Sequence, residues 1–340
     1  MADRWLLIET FGGEYHEEPT VIAVGRTVKR MVPLDTVLGR GSYLEDVRAL
    51  VARVADSGET VRAMSSNGRR QLIGVPLRVF TGRVHGVYAW TGGPDEEPPP
   101  RDPAGAWYFN LTRDLTVRSD DLLDLYGVPP ADRQNERRIA EMFARLITNS
   151  DEAAALAVMV RSRPGDEHQA TWGIRRPDGQ LRAGNFAARV IAEPAGEAGQ
   201  TEILIRGITH DIGAAEETPS APPRMVLAQQ VIAAEAVPGK HRAIINLRRL
   251  NLMRWVDDPM PGVAWQLDAE QPPAIHPDDL PAAKQMSAGL AAGTSVDGVL
   301  RVRSVTGSWM PLAVVANLII LDQHTTAALV TVSDPQRTPT

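Results

Sequence analysis

Histidine, cysteine and carboxylate residues, which most often bind metals or perform catalysis, form no recognisable motif in this chain. None of the seven histidines stands at zinc-ligand spacing from another, and HExxH does not occur. They are His16, His85, His168, His210, His241, His276 and His324. The absence of cysteine removes disulfides, thiolate nucleophiles, cysteine-ligated zinc and iron–sulfur clusters. The sequence therefore predicts no metal site.

Two pairs of adjacent aspartates have both a functional and a structural interpretation. Asp257-Asp258 and Asp278-Asp279 could supply carboxylates to a metal, but turns and helix starts explain both pairs more simply. His276 could be a haem or metal ligand, and we favour a role at a helix start because Pro277 and Asp278 follow it.

Phosphate-binding and nucleophile motifs are also absent. The sequence contains neither GxxxxGK[ST], nor a strand-linked GxGxxG, nor the GxSxG of hydrolases. The net charge is −6, which argues against sequence-independent nucleic-acid binding because that function needs a basic face. We therefore predict no catalytic residues and expect that the protein is not an enzyme.

Aromatic residues are the remaining candidates for a binding site. The chain has seven tryptophans and only five tyrosines. Trp172, Phe186, Trp265 and Trp309 are the residues that we expect to line a pocket, if one exists. Packing in the cores of small sheets is the alternative, and we favour it because aromatic side chains dominate core energetics.

The stretch 171–212 indicates what kind of structure holds these aromatics. It reads as three antiparallel strands, with a turn at Pro177-Asp178-Gly179 and two-residue alternation around Phe186. Similar meanders are predicted at 60–90 and 295–333. Each follows two strands and a helical stretch, so the chain repeats one architecture three times.

The helical stretches differ in how clearly they are marked. Ser42 and Glu45 have capping-box spacing, and an apolar stripe follows until Gly58, a predicted C-cap. Further predictions are short helical turns in 26–40, a short helix after Ser119 or Asp120, a helix at 137–148, and a helix or buried strand at 150–159. A helix at 225–235 would relay signals or form dimer contacts.

These patterns predict an α+β protein of three units, each an antiparallel sheet covered by helices. The predicted boundaries are residues 1–95 for unit 1, 106–213 for unit 2 and 236–334 for unit 3. A proline-rich linker at 96–105 and a linker with a helix at 214–235 separate them.

The order of two strands, a helical middle and a three-stranded meander resembles PAS-type sensor domains, and broadly GAF-type domains. The middle unit resembles them most, in AWYFNLTRDLTVRSDDLLDLYG, DGQLRAGNFAARVI and ILIRGITHDI. The third unit has IHPDDLP, similar to the segment before the main PAS helix. Along the full length, RWLLIET, HGVYAW, MRWVDDPMP and WMPL resemble an uncharacterised actinobacterial family of triple sensor-domain proteins.

The resemblance implies a non-enzymatic sensor or signalling scaffold that binds a small ligand, a partner protein, or both. The alternatives are a structural adaptor with closed pockets and, less favoured, an enzyme with an unrecognised site. Expected partners are an unidentified signalling protein, a possible small-molecule ligand and a possible second copy in a homodimer. The sequence identifies no cofactor. It shows no signal peptide and no run long enough to span a bilayer, so we expect a cytoplasmic protein.

Overall fold

The computed structural model describes residues 4–12, 18–147, 149–195, 199–218, 236–267, 272–293 and 295–335. The strands are β1 (Leu6–Glu9), β2 (Thr20–Val24), β3 (Thr27–Pro33), β4 (Val61–Met64), β5 (Gln71–Arg78), β6 (Val84–Gly92), β7 (Ala104–Asn110), β8 (Leu115–Arg118), β9 (Glu136–Arg138), β10 (Leu146–Ile147), β11 (Glu167–Arg175), β12 (Leu181–Pro194), β13 (Thr201–Ala214), β14 (Lys240–Asn246), β15 (Asn251–Trp255), β16 (Val296–Arg303), β17 (Trp309–Asp322) and β18 (Thr325–Ser333). The α-helices are α1 (Leu34–Leu38), α2 (Ser42–Ser57), α3 (Asp120–Leu125), α4 (Ile139–Met142), α5 (Glu152–Arg161) and α6 (Leu280–Ala291). Short 3-10 helices span Pro130–Asp132, Phe143–Arg145, Ala215–Glu217 and Pro277–Asp279.

Two compact units divide the chain. Unit 1 consists of Met1–Asn135 and Ser162–Pro222, and unit 2 consists of Glu136–Arg161 and Pro223–Thr340. The connection from β8 to β11 therefore leaves unit 1 after Asn135, folds with unit 2, and returns at Ser162. Each unit is described separately below.

Unit 1 contains two antiparallel sheets. The N-terminal sheet has the strand order β3-β2-β1-β6-β5-β4, and the middle sheet runs β8-β7-β13-β12-β11. Both have a central strand pair of high regularity, such as Leu6–Glu9 against Gly86–Ala89 in the N-terminal sheet. The sequence predicted these strands except β3, because it indicated only helical turns between residues 26 and 40.

Helix α2 covers one face of the N-terminal sheet. Its apolar residues fall on one stripe, and each is at most 4% exposed: Leu44, Val47, Leu50, Val51 and Val54. Gly58 ends the helix in the left-handed conformation with φ of 67°, and its N–H bonds the Val54 carbonyl at 2.9 Å, as predicted. The capping-box prediction is wrong, because Ser42 is the first helical residue and Gly41 occupies the N-cap without a side-chain bond.

The opposite face of the N-terminal sheet packs on the middle sheet. One hydrophobic cluster draws on both sheets, from Trp5, Leu7 and Trp90 in the first to Ala187 and Ile208 in the second. Ala187 and Ile191 of β12, which point to the same face, belong to this cluster together with Ile208 of β13. The two sheets of unit 1 therefore share a core.

The C-terminal sheet belongs to unit 2 and has the order β15-β14-β18-β17-β16. Helix α6 packs on β16 and β17, while α4 contacts β15 and α5 contacts β17 and β18. The predicted helix at 137–148 is instead a strand, one turn of α-helix, a 3-10 turn and a strand, whereas the ambiguous segment after Ser150 is helix α5. The predicted helix at 225–235 lies outside the described residues.

The same strand order recurs in all three sheets. Counting only the two opening strands and the closing meander, each sheet has the order second, first, fifth, fourth, third. A helical stretch separates the second strand from the third in each case. The sequence prediction of three antiparallel sheets is confirmed.

Candidate functional site

Buried charged residues between the two sheets of unit 1 form a connected network. Glu9 is 1% exposed and Arg189 is 4% exposed, and Glu9 Oε1 lies 3.4 Å from Arg189 Nη2. The Phe11 amide donates to Glu9 Oε2 at 2.9 Å, and the Thr20 hydroxyl donates to Oε1 at 2.8 Å. Burial raises the pKa of Glu9, and Arg189 opposes that rise. With both oxygens occupied, Glu9 ties loops and sheets together.

Arg206 and His85 lie in the same interface. The Arg206 guanidinium donates to the Phe11 carbonyl and to the Glu193 carboxylate, and burial lowers its pKa to about 10. His85 is 0% exposed, and burial with the nearby Arg206 charge lowers its pKa to about 3. His85 is therefore neutral at physiological pH and does not act as a charged ligand or acid.

A second buried histidine lies on β13, beyond Arg206. His210 is 2% exposed, and burial lowers its pKa to about 4. Its neighbour Asp211 accepts two hydrogen bonds from Arg182, at 3.0 and 2.9 Å. Throughout the described ranges, no group of three or more histidines and carboxylates could hold a metal ion. This network is suited to fixing the two sheets together.

The structure brings two of the four predicted aromatic residues together. Trp172 and Phe186 lie on the same face of the middle sheet, with ring centroids 6.5 Å apart. Trp107 lies 6.4 Å from Phe186, and its Nε1 donates to the Thr209 hydroxyl at 3.0 Å. The sequence gives no reason to join Trp107 to this cluster, because its partners are distant in the chain.

Trp309 and Trp265 lie in unit 2. Trp309 has Arg303 over its ring at 4.0 Å and His276 edge-on with centroids 4.6 Å apart. Trp265 is partly buried and lies outside the helices and strands. His276 accepts the Asp278 amide at 3.2 Å, so its predicted role at a helix start is confirmed.

The acidic pair that follows His276 also has a structural role. Asp279 accepts from the Arg301 backbone amide at 2.7 Å and from its guanidinium at 3.0 and 2.6 Å. These hydrogen bonds lower the pKa of Asp279 to about 2. Asp279 thus joins the start of α6 to the edge strand β16.

Side chains fill the space between α2 and the N-terminal sheet. A Cβ atom on Gly74 of β5 would lie 2.7 Å from Val54 Cγ2 and 3.0 Å from Leu50 Cγ, so the helix touches the sheet directly. Fourteen apolar residues of this core are buried and four are partly buried among those described. Branched side chains on α2 leave no room for a ligand there.

The corresponding space in the C-terminal sheet is built differently. Helix α6 faces the sheet with Ala283, Met286 and Leu290, a narrower stripe than that of α2. A Cβ on Gly298 of β16 would meet Met286 at ordinary contact distances, with Sδ at 3.6 Å and Cε at 3.8 Å. Methionine side chains adapt to gaps and to ligands more readily than branched ones.

The lining of this space is incompletely covered. Among the described residues, ten members of the core are buried, and eleven apolar residues packed against it remain partly exposed. The partly exposed residues are Ile245, Leu247, Leu250, Trp255, Val263, Ile275, Met286, Val296, Val302, Met310 and Leu318. We call the space between α6 and the C-terminal sheet the α6 interior. The residues just named are all apolar, and none of these described residues is an acid, a base or a nucleophile.

No helix among the described ranges is long and apolar enough to cross a membrane.

Comparisons with known proteins give matches over the whole chain. Sequence profiles described as Rv3651-like match in order: the N-terminal profile at residues 4–100, the middle-domain profile at 103–211 and the C-terminal profile at 225–339. The crystal structure of an uncharacterised protein from Mycobacterium tuberculosis is 30% identical with a TM-score of 0.84, and the match covers 98% of this chain and 97% of that chain. No curated protein matches the chain.

Two sensor proteins of known structure are distantly similar. A sensory box histidine kinase/response regulator from Burkholderia thailandensis E264 is 20% identical with a TM-score of 0.25, over 33% of this chain and 79% of that chain. An RNA-binding light-oxygen-voltage receptor is 11% identical with a TM-score of 0.27, over 68% of this chain and 95% of that chain. TM-scores this low do not establish a shared fold.

Proposed function

Because the chain belongs to the Rv3651-like family of three-domain proteins, we propose that it is a non-enzymatic sensor or signalling scaffold with three PAS-like modules. The common strand order of the three sheets, with a helical stretch at the same place in each, supports the PAS-like assignment. The α6 interior binds a small apolar ligand. The two sheets of unit 1 form a rigid body for docking a signalling partner.

The contrast between the two helix-covered spaces carries this proposal. Both lie between a helix and an antiparallel sheet, the concave position where layered folds hold ligands. In one, a Cβ on Gly74 would lie within 3.0 Å of helix side chains, and in the other a Cβ on Gly298 would meet Met286 at ordinary contact distances of 3.6 and 3.8 Å. Selection for a purely structural role would favour a filled core in both sheets.

The bonding of the buried charged residues supports a non-enzymatic role. Buried Glu9, Arg189 and Arg206 are each engaged in ion pairs or hydrogen bonds. Catalytic sites need ionisable side chains that converge on a cleft and remain available to a substrate. The network of unit 1 has the opposite character, since it is shared between two packed sheets.

A blocking substitution tests whether the α6 interior binds ligands. Gly298→Val adds an isopropyl group next to Met286, and Asp297→Val places the same side chain on the opposite face of the same strand. We expect 2-ethylnaphthalene, an apolar probe, to bind wild type and Asp297→Val, and to bind Gly298→Val at least about 10-fold more weakly. Fluorescence titration measures binding, and circular dichroism checks folding.

Two outcomes of that titration would refute the proposal. If the wild type does not bind the probe, the α6 interior is not a binding site. If Gly298→Val and Asp297→Val bind it as the wild type does, the probe is held elsewhere. A structural adaptor would then be the better description, and the filled N-terminal core already favours that role for its own sheet.

A further inference from the structure

An indole N–H on the sheet face that α6 covers has no hydrogen-bond partner among the described residues. Trp255 on β15 pairs with Ala243 of β14, and Ala243 pairs with Val330 of β18, a member of the core under α6. Directly paired residues share a sheet face, so the indole lies on the face that α6 covers. Its Nε1 is buried and finds no acceptor among the described residues.

Two other tryptophans have an acceptor for the indole N–H. Trp5 Nε1 donates to the Pro99 carbonyl at 2.7 Å, and Trp107 Nε1 donates to the Thr209 hydroxyl at 3.0 Å. Trp90 also lacks an acceptor among the described residues, but it is 1% exposed in the core that the two sheets of unit 1 share. Trp255 differs because its ring borders a partly exposed apolar lining. An unpaired buried donor beside such a space is explained by a ligand that supplies the acceptor.

The charges near Trp255 determine what kind of acceptor fits. On the adjacent residue, the Arg254 guanidinium donates to Glu152 and to the Trp255 carbonyl. Arg242 donates to both carboxylate oxygens of Asp257 at 2.7 Å. These cations are already balanced, so a buried carboxylate or phosphate on a ligand would lack a counter-charge, and burying an unbalanced charge is costly.

We infer that Trp255 determines ligand specificity in the α6 interior by donating a hydrogen bond to an uncharged acceptor oxygen, as in a ketone, ester or alcohol with an apolar body. This inference rests on the proposed function, because it assumes that the interior admits ligands. It goes beyond that function by naming the ligand class and the residue that selects it.

A pair of probes of nearly equal shape tests the inference. 2-Acetylnaphthalene carries a carbonyl acceptor where 2-ethylnaphthalene carries a methylene group. We expect wild type to bind the ketone about 10-fold more tightly than 2-ethylnaphthalene, and we expect Trp255→Phe to bind the two probes with equal affinity. Fluorescence or equilibrium dialysis gives both dissociation constants.

An NMR measurement on the wild-type protein keeps the test independent of the variant's stability. With 15N-labelled tryptophan, the Trp255 Nε1–H resonance should move on adding the ketone and stay largely unmoved with 2-ethylnaphthalene. Equal binding of both probes by wild type, or equal losses for both in Trp255→Phe, would overturn the inference and leave the binding site intact. Failure of both probes to bind wild type would instead refute the proposed function.

Discussion

The two histidines buried between the sheets of unit 1 should make its stability depend on pH. His85 and His210 are 0% and 2% exposed, and burial lowers their pKa values to about 3 and about 4 from an ordinary value of 6.5. The unfolded state therefore takes up protons first as the pH falls. Their contribution is fully present above pH 6.5 and is lost progressively as the pH drops toward 4.

The size of this effect follows from the two pKa shifts. Between pH 6.5 and pH 5.0, proton uptake by the unfolded state costs about 1.5 kcal/mol for each histidine and about 3 kcal/mol for the pair. Glu9 acts in the opposite sense, because burial raises its pKa and the folded state keeps its proton longer. Comparison with a variant that lacks both histidines separates the two contributions.

Hydrogen exchange measures this dependence in unit 1 alone. The slowest amides of β6 and β13, corrected for intrinsic exchange rates, give the free energy of opening at pH 6.5 and pH 5.0. We expect His85→Gln/His210→Gln to lose less stability than wild type over this interval, by about 3 kcal/mol. His324→Gln, at an exposed turn, is the matched control and should behave as wild type. An unchanged pH dependence in the double variant would refute the reasoning.

Two further predictions concern contacts at single residues. Gly105→Ala should destabilise unit 1 by about 3 kcal/mol because its Cβ would lie 2.3 Å from Leu122 Cα, whereas Gly298→Ala should destabilise unit 2 by less than about 1 kcal/mol. Urea unfolding measures both losses of stability, and equal losses would contradict the packing described. Glu152→Gln should destabilise unit 2 by about 1 to 2 kcal/mol because the partly buried Arg254 loses its carboxylate partner. Hydrogen exchange of the β15 amides measures that loss of stability. The loss caused by Glu152→Gln should be smaller in a chain that also carries Arg254→Met.

Local patterns in the sequence were sufficient for most elements of the fold. The alternation around Phe186, the turn at Pro177-Asp178-Gly179 and the stripe of α2 each depend on residues close in the chain, so they could be read directly. Segment 137–148 could not, because its apolar residues suit a helix locally but are divided among α4, a 3-10 turn and β10. The strand pairing of β9 and β10 involves residues distant in the chain, which a local pattern does not show.

The candidate site was less accessible to sequence reasoning. Trp172, Phe186 and Trp309 were named from residue type alone, without a partner for any of them. What distinguishes the α6 interior is the meeting of Gly298 with Met286 and the lack of an acceptor for Trp255. Both depend on strand register and helix placement, so only the structure could reveal them.

Native mass spectrometry of the freshly purified protein tests the central claim most directly. We predict that wild type carries a small molecule, or takes up 2-ethylnaphthalene with one-to-one stoichiometry, and that Gly298→Val does neither while keeping the same oligomeric state. A wild-type protein that shows only its own mass and takes up no probe would contradict the claim that the α6 interior binds a ligand.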